Sequence, residues 1–540
     1  MFYSLADSRL KGVEITIIKR WHMKKYLNYI YTFFLVASIF TMLWAVFTTI
    51  FSPRIGEIFS LFRNVHSTKT IILINISCFV FTLLLYPIIA HFLAKGTKKW
   101  VLSNKFTFIF FTIELIIYFI SLLLFIKFIG FKQAVDDAAI TLKFLDQLSI
   151  GEKWGYNYMY SNPQNLLLMY IFSAIRTFFG HNYSSIIIVF SLMHIITILL
   201  TFLSLKNLKV SNLVSLVTIQ ILVFAIQITL HVPVAYTDIL SLFFMSLTLF
   251  FFTGYLKITN EGTNKFSYLY IILTSIFCVL GFISKGTVLI LVIALSLFLL
   301  LYNNGKRRVI GLVPFIFLFF GNFLWGQFID SQNLFPDKNY GQPNTHYIMM
   351  GLHNTPIPDD LPNENKAKWT VGAYNSTEQR FTWDMFLDKK MSKKKIQVEH
   401  IKVIKQRLKA MNLIQLIKAL NNKVSVTWGS GDLKSSFEVF LGTGRSQEKM
   451  WVFKNNFSGL IIYSIMMVIQ YLIYLGIVFS AIKFFKVINP FIFFSSIYIT
   501  GYFVFLLIWE SSPRYSMGIF IPAILAIGLL FQKSEENIKK

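Results

Sequence analysis

The chain has 540 residues, 55% of them hydrophobic and only 14% charged, with a net charge of +26. A soluble globule of that apolarity would lack polar surface, so the composition specifies an integral membrane protein with many spans. The positive charge follows from Lys and Arg in short loops, which fix orientation and attract anionic lipid headgroups; no basic stripe lies on a recognisable soluble fold, so nucleic acid is set aside as a partner.

The N-terminal segment is polar and basic ("LKGVEITIIKRWHMKKY"), and no cleavable signal peptide is visible before the first apolar run. A span needs ~20 apolar residues to cross the hydrocarbon. Runs near that length fall at about 28–51, 70–94, 106–130, 184–205, 212–230, 239–256, 267–284, 287–303, 308–328, 457–482, 488–508 and 515–532. The two cysteines, Cys78 and Cys278, lie inside such runs and read as small buried hydrophobes, leaving no disulfide or CxxC metal framework. One further segment, "NLLLMYIFSAIRTFFG" (165–180), is somewhat short and carries Arg176 near its end.

Loop charge decides that segment. The basic loops are the N-terminus, 95–100, 206–209, 303–308 and 483–486. All fall on one side only if 165–180 lies flat at the interface, and short basic loops face the cytoplasm. The expectation is therefore an all-α polytopic protein with about twelve transmembrane helices and both termini cytoplasmic. Residues 1–105 hold the N-terminal segment and two spans, and 106–328 form a core with a first external loop at 131–183. Residues 329–456 form an external, mostly helical region, and 457–540 return as spans and a cytoplasmic tail. Within the external region, "KKKIQVEHIKVIKQRLKAMNLIQLIKAL" (393–420) places Val398, Ile401, Ile404, Leu408 and Met411 at helical spacing, with a basic opposite face. Such a helix suits the outer leaflet or the rim of a cavity.

Several polar insertions exit on the outer side. Asp136 and Asp137 stand side by side at the end of an apolar run. One Asp can cap the helix that follows; the second needs another reason, and general-base catalysis or metal binding supplies one. Asp238, after Tyr236 and Thr237, reads as a helix cap or as part of a site. Lys285 either snorkels or offers a point charge to a phosphate. Glu510 and Arg514 flank "SSP" and either pair together or leave the guanidinium for a phosphate. Two or three acids and two bases at one lipid boundary suit a reaction between an anionic lipid headgroup and a hydroxyl acceptor.

These residues carry a resemblance. "DDAAITLKFLDQLSIGEKWGYNYMYSNPQNLLLMYIFSAI" resembles the first-loop signature of GT-C membrane glycosyltransferases, near the protein O-mannosyltransferase and lipid A aminoarabinose transferase group (glycosyltransferase family 39-like). "YTDILSLFF" is similar to that group's second acidic position, "GFISKGTVLILVIAL" to its Lys-Gly turn, and "ESSPRYSMGIFIPAILAIGLL" to its late Arg-Tyr span, with Tyr515 beside Arg514. The middle loop, with "HYIMMGL", "GAYNSTEQ" and "VTWGSGD", resembles Gram-positive members. Ala139 departs from the aromatic common after the acidic pair, and Gly286-Thr287 from the frequent Gly-Pro; both bear on the donor sugar.

The resemblance implies a polyprenyl-phosphate-linked sugar as donor, used outside a bacterial cytoplasmic membrane with inversion at the anomeric carbon. The acceptor would be an envelope glycan, a teichoic acid or a protein. It implies a general base from the pair Asp136 and Asp137; Asp136 is the favoured choice, with Asp137 assisting the acceptor or a divalent cation. Lys285 and Arg514 would bind the donor phosphate, while Asp238, Tyr236, Glu510 and Tyr515 orient partners. A transporter or lipid flippase is the alternative; it expects paired broken helices and mid-span charges.

Overall fold

In lipid a continuous apolar run satisfies its own backbone only as a helix or a closed barrel, and these runs lack the alternation of barrel strands. The computed structural model describes residues 2–52, 68–99, 102–147, 153–261, 266–335, 337–353, 371–445 and 457–532. Among them no strand forms; the one isolated bridge joins Ala373 to Ser511. Ten helices among the described residues are long and apolar enough to cross a membrane: Tyr26–Phe51, Lys69–Gly96, Asn104–Ile129, Tyr183–Asn207, Thr237–Asn260, Ser267–Ser284, Gly305–Ser331, Phe457–Lys483, Pro490–Ile508 and Pro513–Phe531. Two shorter apolar helices, Asn212–Val223 and Gly286–Tyr302, occupy the other two expected runs. The protein is thus an all-α, multi-pass membrane protein.

The run expected at 212–230 is not one helix. It stops at Val223, turns, and resumes for a single turn at Ile226–Thr229. The following turns are held from several sides. Tyr183 donates to the Pro233 carbonyl (2.7 Å), and His231 Nε2 donates to the Leu433 carbonyl (2.9 Å). Burial holds His231 neutral, pushing it down to about 4, which suits an Nε2 donor. These bonds satisfy buried backbone that a straight helix would have satisfied internally, and they set Tyr236 and Asp238 beside the 430–435 turn.

Segment 165–180 forms the helix Leu166–Phe179, whose 14 residues are too few to cross alone. Leu166, Met169, Phe172 and Ile175 are buried on it, and Arg176 is ion-paired to Asp146. The stretch 393–420 is also not continuous. It divides into Lys393–Lys409 and Leu413–Trp428 because Asn412 and Gln415 form a reciprocal capping box. Ile396 and His400 pack inward from the first of these helices, whereas Val398, Ile401 and Leu408 stay exposed.

The first two spans pack against Phe457–Lys483, and the first also lies along Pro490–Ile508. Trp44 and Thr48 both donate to Asn421 Oδ1 at 3.1 Å, and Thr49 donates to the Trp428 carbonyl at 3.2 Å. The N-terminal helix therefore props the helix Leu413–Trp428. The loop beyond Trp428 enters the candidate site.

Candidate active site

The first acids come from the helix Asp136–Gln147. The Val135 carbonyl accepts from the amides of Ala138 (3.1 Å) and Ala139 (3.2 Å), so the turn is closed by backbone. Asp136 has φ +44°, in the left-handed region, a conformation costing a non-glycine residue ~1–2 kcal/mol. This backbone kink sends the two carboxylates to different partners. Asp136 reaches Lys434 Nζ at 3.5 Å, while Asp137 reaches Arg514 at 3.6 Å.

Arg514 opens the last span, in a turn led by Pro513. Besides Asp137 it faces Asp238 at 3.9 Å, and its guanidinium lies 5.1 Å over the Tyr236 ring. Both carboxylate contacts exceed hydrogen-bond length, and the buried Nε has no hydrogen-bond partner. Asp238, in the first turn of Thr237–Asn260, is ion-paired to Lys285, which sits between two helices and 5.1 Å from the Tyr515 ring. Asp238, Lys285, Arg514 and Tyr515 share an enclosed cavity of about 10 Å³ with Thr287 and Tyr502, room for about one water. Of the two alternatives for Glu510 and Arg514, the direct ion pair does not form within 4 Å; the guanidinium instead faces Asp137 and Asp238.

Glu510 is nonetheless close enough to matter. It is buried, and burial pushes it up to about 7, against the lowering pull of Arg514 and with a further raising push from Asp137. Behind it, Lys423 donates to the carbonyls of Gly351 and Trp509 (2.7 Å for the latter). Gly372 adopts φ +71°, and a Cβ there would meet the Gly351 carbonyl at 2.6 Å. This close approach lets Ser511 donate its amide to the Gly372 carbonyl (2.6 Å), tying the segment around Gly372 to the start of the last span.

Tyr158 and Tyr236 converge on Asn165: its amide donates to Tyr158 (2.9 Å), and Tyr236 donates to its Oδ1 (3.3 Å). Burial, then the nearby Asp137, keeps both tyrosines protonated. Asp136, Asp137, Asp238, Tyr236, Lys285, Arg514 and Tyr515 therefore form one linked cluster, with Glu510 at its edge. Sequence reasoning missed Lys434, Glu438, Lys423 and Asn165. Lys434 lies two residues beyond the quoted "VTWGSGD", after Leu433, so its signal was close at hand. Among the described residues no group of three or more His, Cys, Asp or Glu gathers around a metal-sized space, and Asp137 faces a guanidinium.

An all-helical, multi-pass protein with acids and bases converging at the span ends fits the GT-C class of membrane glycosyltransferases. Residues 162–324 match the family of dolichyl-phosphate-mannose-protein mannosyltransferases, which supports a family 39-like membrane glycosyltransferase using a polyprenyl-phosphate sugar. No curated protein and no solved structure matches the chain. The matched segment carries Asn165, Tyr236, Asp238 and Lys285; the paired acids, Lys434 and Arg514 join it from outside.

Proposed function

We propose that the protein transfers a sugar from a polyprenyl-phosphate donor to a cell-envelope acceptor on the outer face of the bacterial cytoplasmic membrane, with both termini cytoplasmic. The observation that carries this reading is Arg514: a buried guanidinium near two carboxylates, hydrogen-bonded to neither, with an unpartnered Nε. An incoming phosphate completes its hydrogen bonds, and the fork geometry of Arg favours that. Lys285 adds a second positive charge 47 residues along from Asp238, its ion-pair partner. A groove of about 410 Å³ between Ile276–Ile283, on the helix that ends just before Lys285, and Phe317–Phe328 is lined by Val279, Phe320, Leu324 and Trp325 and suits the donor's isoprenoid tail.

Inverting displacement needs the base on the side of the sugar opposite the phosphate. Asp136 fits that position, because its ion-pair partner is Lys434 rather than Arg514 and it borders an open groove of about 310 Å³ with Gln133 and Arg445. Burial, followed by the charge of Glu438, raises its proton affinity above an ordinary aspartate, which favours a base. The acceptor hydroxyl gives its proton to Asp136, its oxygen bonds to the anomeric carbon, and the carbon–phosphate oxygen bond breaks. Polyprenyl phosphate leaves with the electron pair, held by Arg514 and Lys285. Asp137 holds Arg514 in place before the donor arrives.

A glycan, a teichoic acid and a protein are the acceptor classes this reading admits. Residues 1–105 then act as an added support for a core at 106–328. The experiment is a strain carrying Asp136→Asn, its envelope polymers compared with wild type and with a deletion. Loss of the same sugar in variant and deletion supports transfer. A folded, inserted D136N protein with a normal envelope overturns it.

A further inference from the structure

Lys434 is 22% exposed and links two acids of unlike environment: Asp136, 38% exposed, at 3.5 Å, and Glu438, 1% exposed, at 3.1 Å. Both Glu438 oxygens are buried without a hydrogen-bond partner, so Lys434 is what compensates this carboxylate. An uncompensated buried carboxylate is costly, and such a pair is kept in cores only with good reason. The lysine is also placed by its backbone. Leu433 (φ +54°) and Lys434 (φ +69°) are both left-handed, although neither residue type favours that region.

The turn is held in that shape by Asp432, which accepts from the hydroxyls of Ser430 and Ser436 (2.6 Å for the latter) and from the Lys434 amide at 3.2 Å. Leu433, fully buried, gives its carbonyl to His231. Two consecutive strained residues, a saturated aspartate and a buried glutamate thus aim one ammonium at Asp136. A sub-optimal backbone over-determined by its surroundings is a feature of functional sites.

We propose that Lys434, anchored on Glu438, is a positioning residue that holds the Asp136 carboxylate toward the acceptor groove and keeps it ionised. This rests on the reading of Asp136 as base. The charged groups facing Asp136 are Asp137 on its own helix, Lys434 and Glu438 on the 430–442 segment and Arg514 on the last span, with Arg445 on the groove rim. Lys434 is the nearest cation of this set. In its absence Asp136 would face Glu438 and Asp137 together, so its proton affinity would rise and its rotamer would be released.

The test uses the full-length protein in isolated native membranes, which carry the acceptor. The probe is a synthetic polyprenyl-phosphate hexose, taken as the first of the mannosyl, glucosyl and galactosyl forms that wild type turns over. Release of polyprenyl phosphate is followed against pH. Lys434→Met is expected to lower kcat about ten-fold, leave the donor KM within about two-fold, and move the acidic limb up by about one pH unit, the scale of one close charge. Lys434→Arg restores the limb. Glu438→Gln moves it the other way, to lower pH, and decides the matter alone if Lys434→Met does not fold. Loss of activity with an unmoved limb in both Lys434→Met and Glu438→Gln overturns the positioning role. An active Asp136→Asn protein overturns the base reading itself, so the two failures are told apart.

Discussion

The Arg514 guanidinium stands 3.6 Å from Asp137 and is thereby held, but not saturated, at the mouth of the last span. A phosphate oxyanion would form the shorter, charge-assisted bonds that Asp137 leaves unmade. Arg514→Lys keeps the charge and removes the fork. It is expected to lower transfer ~10²–10³-fold, in the range lost with one oxyanion donor, with a smaller change in protein stability. Steady-state rates with a polyprenyl-phosphate sugar, alongside thermal unfolding in detergent, check both halves of the statement.

Asp238 and Lys285 form a second, deeper pair, with side chains 3% and 12% exposed. Removing either partner leaves the other charge buried, which typically costs ~3–5 kcal/mol. Asp238→Asn and Lys285→Met should each lower thermal stability sharply. The double variant should be less destabilised than the two single losses added together, because no unpaired charge is left. Unfolding curves for the three variants give the coupling directly, and simple additivity would show the pair to be of no structural weight.

Much of this architecture is written locally. The apolar runs are long, nearly free of charge and bounded by basic loops, so the helices at 104–129 or 490–508 follow from length and composition alone. The two interruptions were less legible for different reasons. At Asn412 the N-x-x-Q capping box was readable, but apolar spacing through 411 suggested a continuous helix. At Val223 nothing local marks the break; the bonds that stabilise it come from Tyr183 and from Leu433, far along the chain. The site divides in the same way. Asp136, Asp137, Lys285 and Arg514 stand out as charges at apolar boundaries. Lys434 is one of many lysines between residues 329 and 456, and its meaning comes from a contact across some 300 residues with Asp136.

Lys423 offers a test of how the segment between the Gly305–Ser331 and Phe457–Lys483 helices is fastened to the spans. It is buried, its ammonium donates to the Gly351 and Trp509 carbonyls, and burial pushes it down to about 7. Trp509 in turn stacks with Tyr347, ring centroids 4.9 Å apart. Lys423→Met fills the volume but leaves two buried carbonyls without that donor, a loss of ~1–3 kcal/mol. The expected result is a lower unfolding temperature and faster proteolysis of that segment, with the donor KM little changed. Limited proteolysis of wild-type and variant protein in membranes reads the difference.

Glu510 gives a pH dependence with a definite sign. Burial raises its folded-state value from 4.5 to about 7, so between those values the folded protein holds a proton that the unfolded chain has released. Stability from this group is therefore fully present below about pH 4.5 and is lost as the pH rises through about 7. Glu510→Gln keeps the shape and is neutral at every pH. The variant should unfold at about the wild-type temperature near pH 5 and at a higher temperature near pH 8, where wild type must hold a buried carboxylate. Thermal unfolding at the two pH values measures this; equal offsets at both would mean that Glu510 is ionised throughout, held so by Arg514, Lys434 and Lys423.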